Sequence, residues 1–141
     1  MQGGGLLDEI NYRIDPDLSA AAFIDLLERS GLAERRPVGE PERIETMLRK
    51  ADLIVTATIG DKLVGVARSI TDFVYCLYCS DLAVDRAVQG RGIGKELLRR
   101  TRDAAGPGTN CLLLSAPKAV SFYEAAGLER HPQCFMFTRQ P

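Results

Sequence analysis

The chain has 141 residues, with 18 Lys and Arg against 19 Asp and Glu, one His and a formal net charge of −1. That length suits one domain that buries most of the surface its unfolded chain exposes, without disulfide or metal staples. An apolar fraction of 45% with 26% charged residues excludes a disordered chain. Near-neutrality excludes a nucleic-acid binder that works through a generally basic surface, so any bound anion must be held by a local device.

Four cysteines are too sparse for a disulfide scaffold. The start MQGGGLLDEINYR has no cationic stretch leading into a long apolar run, and no later run is long enough to span a bilayer. The expectation is a cytoplasmic chain without membrane contact. Gly3, Gly4 and Gly5 mark residues 1–10 as a flexible lead-in to a single domain over 11–141.

Residues 12–14 read as a short strand. Pro16 after Asp15 suits a helix start, and Leu18, Ala22, Phe23, Leu26 and Leu27 recur at helical spacing until Gly31. Pro41 reopens a helix with Ile44, Met47, Leu48 and Ala51 on one face. The period then changes: residues 53–59 and 62–70 are β-branched apolar runs joined by Gly60-Asp61, the pattern of an antiparallel hairpin. A third run covers 74–84.

After the turn Gln89-Gly90-Arg91-Gly92-Ile93-Gly94, a helix carries Ile93, Leu97, Leu98, Thr101 and Ala105 on one face and stops at Gly106-Pro107-Gly108. Residues 111–115 read as a strand, Pro117 opens a short helix that Gly127 ends, and residues 134–138 read as a closing strand after the His131-Pro132 turn. This order predicts an α/β class fold: one mixed sheet covered by helices.

The glycine turn carries the chemistry. It stands where a strand ends and a helix begins, so unpaired backbone N–H groups and the positive end of a helix dipole meet there. Glycines let the backbone approach an anion closely, which makes the turn a phosphate cradle flanked by Arg91 and Lys95. The spacing Gly-x-Gly-x-Gly is not the Gly-x-Gly-x-x-Gly of a dinucleotide fold. Nor is it a Walker loop, because Gln89 stands at the first glycine's place and Glu96 where a hydroxyl belongs.

Gln89-x-x-Gly92-x-Gly94 between strand and helix resembles the acyl-CoA signature of the GCN5-related N-acetyltransferase (GNAT) family. Asp81-Leu82-Ala83-Val84 precedes it at the family's distance, and Ala119-Val120-Ser121-Phe122-Tyr123-Glu124-Ala125-Ala126-Gly127-Leu128 is similar to the family's C-terminal helix motif. The resemblance implies a mostly antiparallel sheet splayed at its central strands, with helices on both faces and the pantetheine arm of acetyl-CoA in the gap.

By that resemblance, backbone groups of Leu82, Ala83 and Val84 hold the pantetheine and acetyl carbonyl. Gln89, Gly90, Arg91, Gly92, Ile93, Gly94 and Lys95 hold the pyrophosphate, with Arg91, Lys95, Arg86 and Arg99 the cations in reach of the ribose phosphate. Phe122 borders the cofactor, and Tyr123 faces its sulfur as the acid that protonates the departing thiolate. Asp81 is the candidate base, directly or through water, with solvated or structural roles as its alternatives. Ala116 stands where many relatives have a pantetheine-binding asparagine, which leaves Ser115 as a substitute, and Arg86 stands where many have proline.

The reading is therefore an acetyl-CoA-dependent N-acetyltransferase that moves an acetyl group to a small-molecule or peptide amine in a ternary complex. A non-catalytic acyl-CoA sensor with the same fold is the alternative. No metal, nucleic acid or membrane is called for, and a homodimer follows by family analogy. Cys76 and Cys79, three apart on a strand, point to opposite faces and do not make a zinc site. Glu28, Glu40, Glu42 and Asp72 are carboxylates that could draw a cationic acceptor, whereas Glu34-Arg35-Arg36 reads as solvated charge.

Overall fold

The computed structural model describes residues 9–140, so the expected glycine lead-in falls almost wholly outside the described residues. The strands are β1 (Asn11–Ile14), β2 (Leu53–Ile59), β3 (Lys62–Thr71), β4 (Cys76–Val84) and β5 (Asn110–Leu112). The helices are α1 (Ala20–Ser30), α2 (Pro41–Arg49), α3 (Ile93–Ala105) and α4 (Val120–Ala125), with single 3-10 turns at Leu32–Arg35, Arg86–Val88 and Pro117–Ala119. The strands form one sheet in the order β1-β2-β3-β4-β5, antiparallel except where β5 joins β4 in parallel.

Strands β2 and β3 read as continuous apolar runs because both sheet faces are covered. On one face α3 presses Ile93, Leu97, Leu98 and Ala105 onto Val55, Ala57, Val64, Ala67 and Leu77. On the other, Phe23, Leu26 and Leu27 of α1 and Ile44 and Leu48 of α2 cover Ile54, Val66 and Ala83. Each of these fully buried Leu, Ile or Phe side chains contributes about 1.5–3 kcal/mol relative to exposure.

Helix α1 begins four residues after the proline expected to open it. Asp15 instead turns the chain, accepting from the Asp17 amide at 3.2 Å, and Ser19 caps the helix by accepting from the Ala22 amide at 3.1 Å. Strand β4 likewise starts at Cys76 rather than at residue 74. The Asp72 carboxylate accepts from the amides of Val74, Tyr75 and Cys76 at 2.9, 2.8 and 3.1 Å, winding them into a loop with Phe73 at φ 63°. Those amides hold the Asp72 carboxyl down at about 2.

Two further expectations are corrected. β5 stops at Leu112 instead of running to residue 115, and residues 134–138 form no strand. Phe135, Met136 and Phe137 have strand-forming side chains, yet they are 91%, 68% and 102% exposed. A strand exists only against a hydrogen-bonded neighbour, and side-chain propensity cannot supply one.

The β3–β4 ladder explains where β5 parts from β4. Arg68 pairs with Asp81 and Ser69 with Cys79, so Ser80 is an extra residue, a bulge on β4. Parallel pairing of β4 with β5 covers only Cys76–Tyr78 against Asn110–Leu112 and ends just before the bulge. Beyond it the two strands separate.

Candidate active site

Past the bulge, β4 ends at the glycine turn through a chain of specific contacts. The Asp85 amide bonds to the Val64 carbonyl at 2.8 Å, which keeps that position on the β3 side. Backbone groups alternate sides along a strand, so those of Val84 and Leu82 turn away from β3 and into the gap. The Gln89 side chain donates to the Val84 carbonyl at 3.0 Å, folding the turn back over the strand end.

Asp85 organises the turn from beneath. Its carboxylate caps the next turn by accepting from the Ala87 amide at 2.9 Å, and it takes Arg29 Nη1 at 2.5 Å with Lys62 Nζ at 3.8 Å. Burial opposes its charge, but the Ala87 amide and the Arg29 guanidinium outweigh that and hold its pKa below the usual carboxylate value. Gly90 and Gly92 then adopt φ of 84° and 83°, where a side chain would be strained. Gly92 brings no side-chain cap to α3, so the first-turn amides of that helix open onto the cavity.

The cavity has a volume of about 910 Å³. One wall is the 3-10 turn after α1, with Glu34 and Arg35; the floor is Leu82, Ala83 and Val84; the far wall is Pro117 through α4, with Phe122 and Tyr123. The Phe122 and Tyr123 rings meet edge to face, with centroids 5.2 Å apart. Burial and the neighbouring Cys79 thiol push the Tyr123 phenol up to about 12, with the Arg36 guanidinium pulling the other way. Tyr123 therefore carries its proton throughout the neutral range.

Of the residues singled out in sequence, Leu82, Ala83, Val84, Gln89, Gly90, Gly92, Ile93, Gly94, Lys95, Phe122 and Tyr123 meet at this cavity. Arg91, Ser115 and Asp81 are not among its lining residues. Ser115 donates its hydroxyl to the Ala116 carbonyl at 2.7 Å, and Ala116 lines the cavity in its place.

Asp81 requires a correction. Its side chain is inaccessible to solvent, and its two oxygens accept from Arg36 Nε and Arg68 Nε. A carboxylate held between two guanidiniums, off the cavity, is not placed to take a proton from a bound amine. Arg99 is also engaged elsewhere, with Glu96 at 2.6 Å and Asp103 at 2.7 Å, and so is Arg100 with Glu96 at 2.7 Å. Arg86 and Lys95 are the former phosphate candidates that reach the cavity, and Lys118 joins them.

Glu34 is the one carboxylate lining the cavity among the described residues. Local charge pattern concealed it, because only the docking of the turn after α1 beside β4 brings it there. The carboxylates considered in its stead are committed otherwise or absent from the wall: Asp72 to its loop amides, Glu40 to Arg43 at 3.5 Å. Gly31 was legible only as a helix stop. At φ 88°, it also leaves room for Arg86, whose Nη2 would lie 2.2 Å from a Cβ at that position.

A mixed sheet that parts after a bulge, beside a helix N-terminus entered through left-handed glycines, defines an acyl-CoA N-acyltransferase type of fold. The chain belongs to the GNAT acetyltransferase family: the model of the acetyltransferase (GNAT) domain matches residues 50–129. It is 26% identical to GCN5-related N-acetyltransferase 2, chloroplastic, of Arabidopsis thaliana, with 92% of this chain and 57% of that protein covered. It is 25% identical to serotonin N-acetyltransferase 2, chloroplastic, of Oryza sativa subsp. japonica, with 85% of this chain and 61% of that protein covered. The chain thus spans about three fifths of the length of these curated relatives. A crystal structure of a protein from Deinococcus radiodurans R1, assigned as an acetyltransferase, superposes with a TM-score of 0.72 at 25% identity, with 95% of this chain and 90% of that one covered.

Proposed function

We propose that the protein is an acetyl-CoA-dependent N-acetyltransferase that moves the acetyl group to a primary amine by direct attack in a ternary complex. The observation that carries this reading is the convergence, on one cavity, of the Gly90–Gly92 turn, the Leu82–Val84 strand end and Tyr123. A cofactor polyanion fits there: left-handed glycines free the backbone to approach it, and Arg86, Lys95 and Lys118 line the same space.

In this reading the amides of the turn and of the first turn of α3 hold the pyrophosphate. The inward backbone groups of Leu82 and Val84 align the pantetheine as an added strand would, and a Leu82 or Val84 N–H polarises the acetyl carbonyl. The neutral amine attacks that carbon, the C–S bond breaks, Tyr123 delivers its proton to the sulfur, and the proton that the nitrogen sheds as the amide forms restores the Tyr123 phenol. Glu34 draws the acceptor's ammonium, whose proton leaves to solvent before attack. The proposed acceptor class is accordingly a cationic amine on a small molecule or peptide.

The proposed compartment is the cytoplasm. Among the described residues no helix is long and apolar enough to cross a membrane. A homodimer is part of the proposal, supported by the exposed apolar run Phe135, Met136 and Phe137.

The direct test is calorimetric titration with acetyl-CoA, followed by thiol release across polyamines, aromatic amines including serotonin, amino acids, aminoglycosides and peptides. Saturable binding with amine-dependent thiol release is the expected result. Binding without thiol release on any amine would favour a sensor, and no binding would remove the reading.

A further inference from the structure

The buried group that the chemistry above leaves unused is Asp81, 1% exposed and gripped from two sides. Arg68, on β3 and itself 7% exposed, reaches Asp81 Oδ2 with Nε and Ser80 Oγ with Nη2 at 3.0 Å, while its Nη1 meets the Met47 carbonyl on α2 at 3.4 Å. Arg36 comes from the opposite direction, from the segment that follows the cavity wall of Glu34 and Arg35. Its Nε reaches Asp81 Oδ1, its Nη2 the Ser80 carbonyl at 2.7 Å and its Nη1 the Arg35 carbonyl at 2.9 Å.

Ser80 is the extra residue of the β4 bulge. The two guanidiniums therefore close on the bulge itself: one takes its carbonyl, the other its hydroxyl, and both share the next side chain. A bulge has a cheap way to disappear, since sliding the strand by one residue restores a regular ladder. A one-residue slip also reverses which groups face which side. Here it would turn the backbone groups of Leu82 and Val84 toward β3 and away from the cavity.

We propose that Arg36 is a positioning residue which, with Arg68 and Asp81, pins the Ser80 bulge and thereby keeps the Leu82–Val84 backbone facing the cofactor cleft. The inference rests on the proposed cofactor site. It adds that the wall carrying Glu34 and the strand carrying the acetyl group are fastened at one point. The trio holds two cations against one anion, and Arg36 is the member whose field reaches the Tyr123 phenol.

The test is titration of CoA by calorimetry into the wild type and the variants Arg36→Ala, Arg36→Lys and Arg43→Ala, at a temperature where circular dichroism shows each folded. Arg43, on α2 and half-exposed, serves as a control. Loss of two charge-assisted bonds to the bulge is expected to weaken CoA binding about tenfold in Arg36→Ala. Arg36→Lys should also bind more weakly than wild type, since one ammonium cannot span Asp81 and the Ser80 carbonyl as a planar fork does; it carries the test if Arg36→Ala does not fold. A merely structural arginine would lower the unfolding midpoint and leave the dissociation constant of the folded variants unchanged, and that result overturns the inference. Wild type that binds no CoA would overturn the cofactor site and this inference together, and the first titration reveals it.

Discussion

The phenyl ring of Phe122 occupies the space that a side chain at Gly94 would need: a Cβ there would lie 2.9 Å from Phe122 Cζ. Helix α4 therefore docks on the first turn of α3, and Tyr123 is set relative to the glycine turn by a missing methyl group. Gly94→Ala should leave stability within about 1 kcal/mol, because alanine favours the helix and the ring can swing outward. The accompanying shift of Tyr123 should lower kcat at least about tenfold. Thermal unfolding and steady-state kinetics on the same variant check both halves, and an unchanged kcat would separate the Gly94 contact from catalysis.

Tyr123→Phe removes the proposed proton donor while keeping the ring contact with Phe122. The expected loss in kcat is about a hundredfold, with CoA affinity within a few-fold of wild type. Because the phenol is held at about 12, it should contribute no alkaline inflection to the rate below that pH. Undiminished turnover of Tyr123→Phe would remove the acid assignment.

Glu34→Gln should raise KM for cationic amines by roughly two- to fivefold, the scale of one exposed charge interaction. The effect should shrink with added salt, and CoA binding should not change. Equal KM for wild type and Glu34→Gln at low salt would place the acceptor elsewhere.

Asp81→Ala leaves Arg36 and Arg68 side by side without their anion. Breaking a buried pair in this way costs about 3–5 kcal/mol, far beyond the effect of removing a solvated catalytic carboxylate. Urea unfolding should show the loss in full; a variant as stable as wild type would contradict the buried placement.

Alkaline pH should weaken the fold. Burial pushes the Cys79 thiol from 9.0 up to about 12, and burial likewise raises the Tyr123 phenol from 10.0 to about 12. The unfolded chain thus releases these protons before the folded one does. The stabilisation is complete below about pH 9 and declines as pH rises toward 12. Urea midpoints measured from about pH 8 to about pH 10.5 should fall, and less steeply for Cys79→Ala; a flat profile would refute the shifts.

Periodicity exposed the order of elements as far as α4, because strand and helix faces impose different repeats on adjacent residues. Boundaries moved where a side chain bonded to backbone: Ser19 delayed α1, and Asp72 delayed β4. The glycine turn was legible because left-handed backbone needs glycine at particular positions, here Gly90 and Gly92. Glu34 was not, since nothing local distinguishes a carboxylate facing solvent from one facing a cavity built by a strand 48 residues later.

By itself the sequence determined the α/β class, the glycine turn that opens α3 and, through recognisable motifs, membership of the GNAT family. Those features are written in short-range residue patterns. Tertiary structure alone decided that Asp81 serves two arginines, that Arg99 and Arg100 belong to Glu96, and that residues 134–138 lack a partner edge. A charge or a strand acquires its role from what lies opposite, and that is set by packing between segments far apart in the chain.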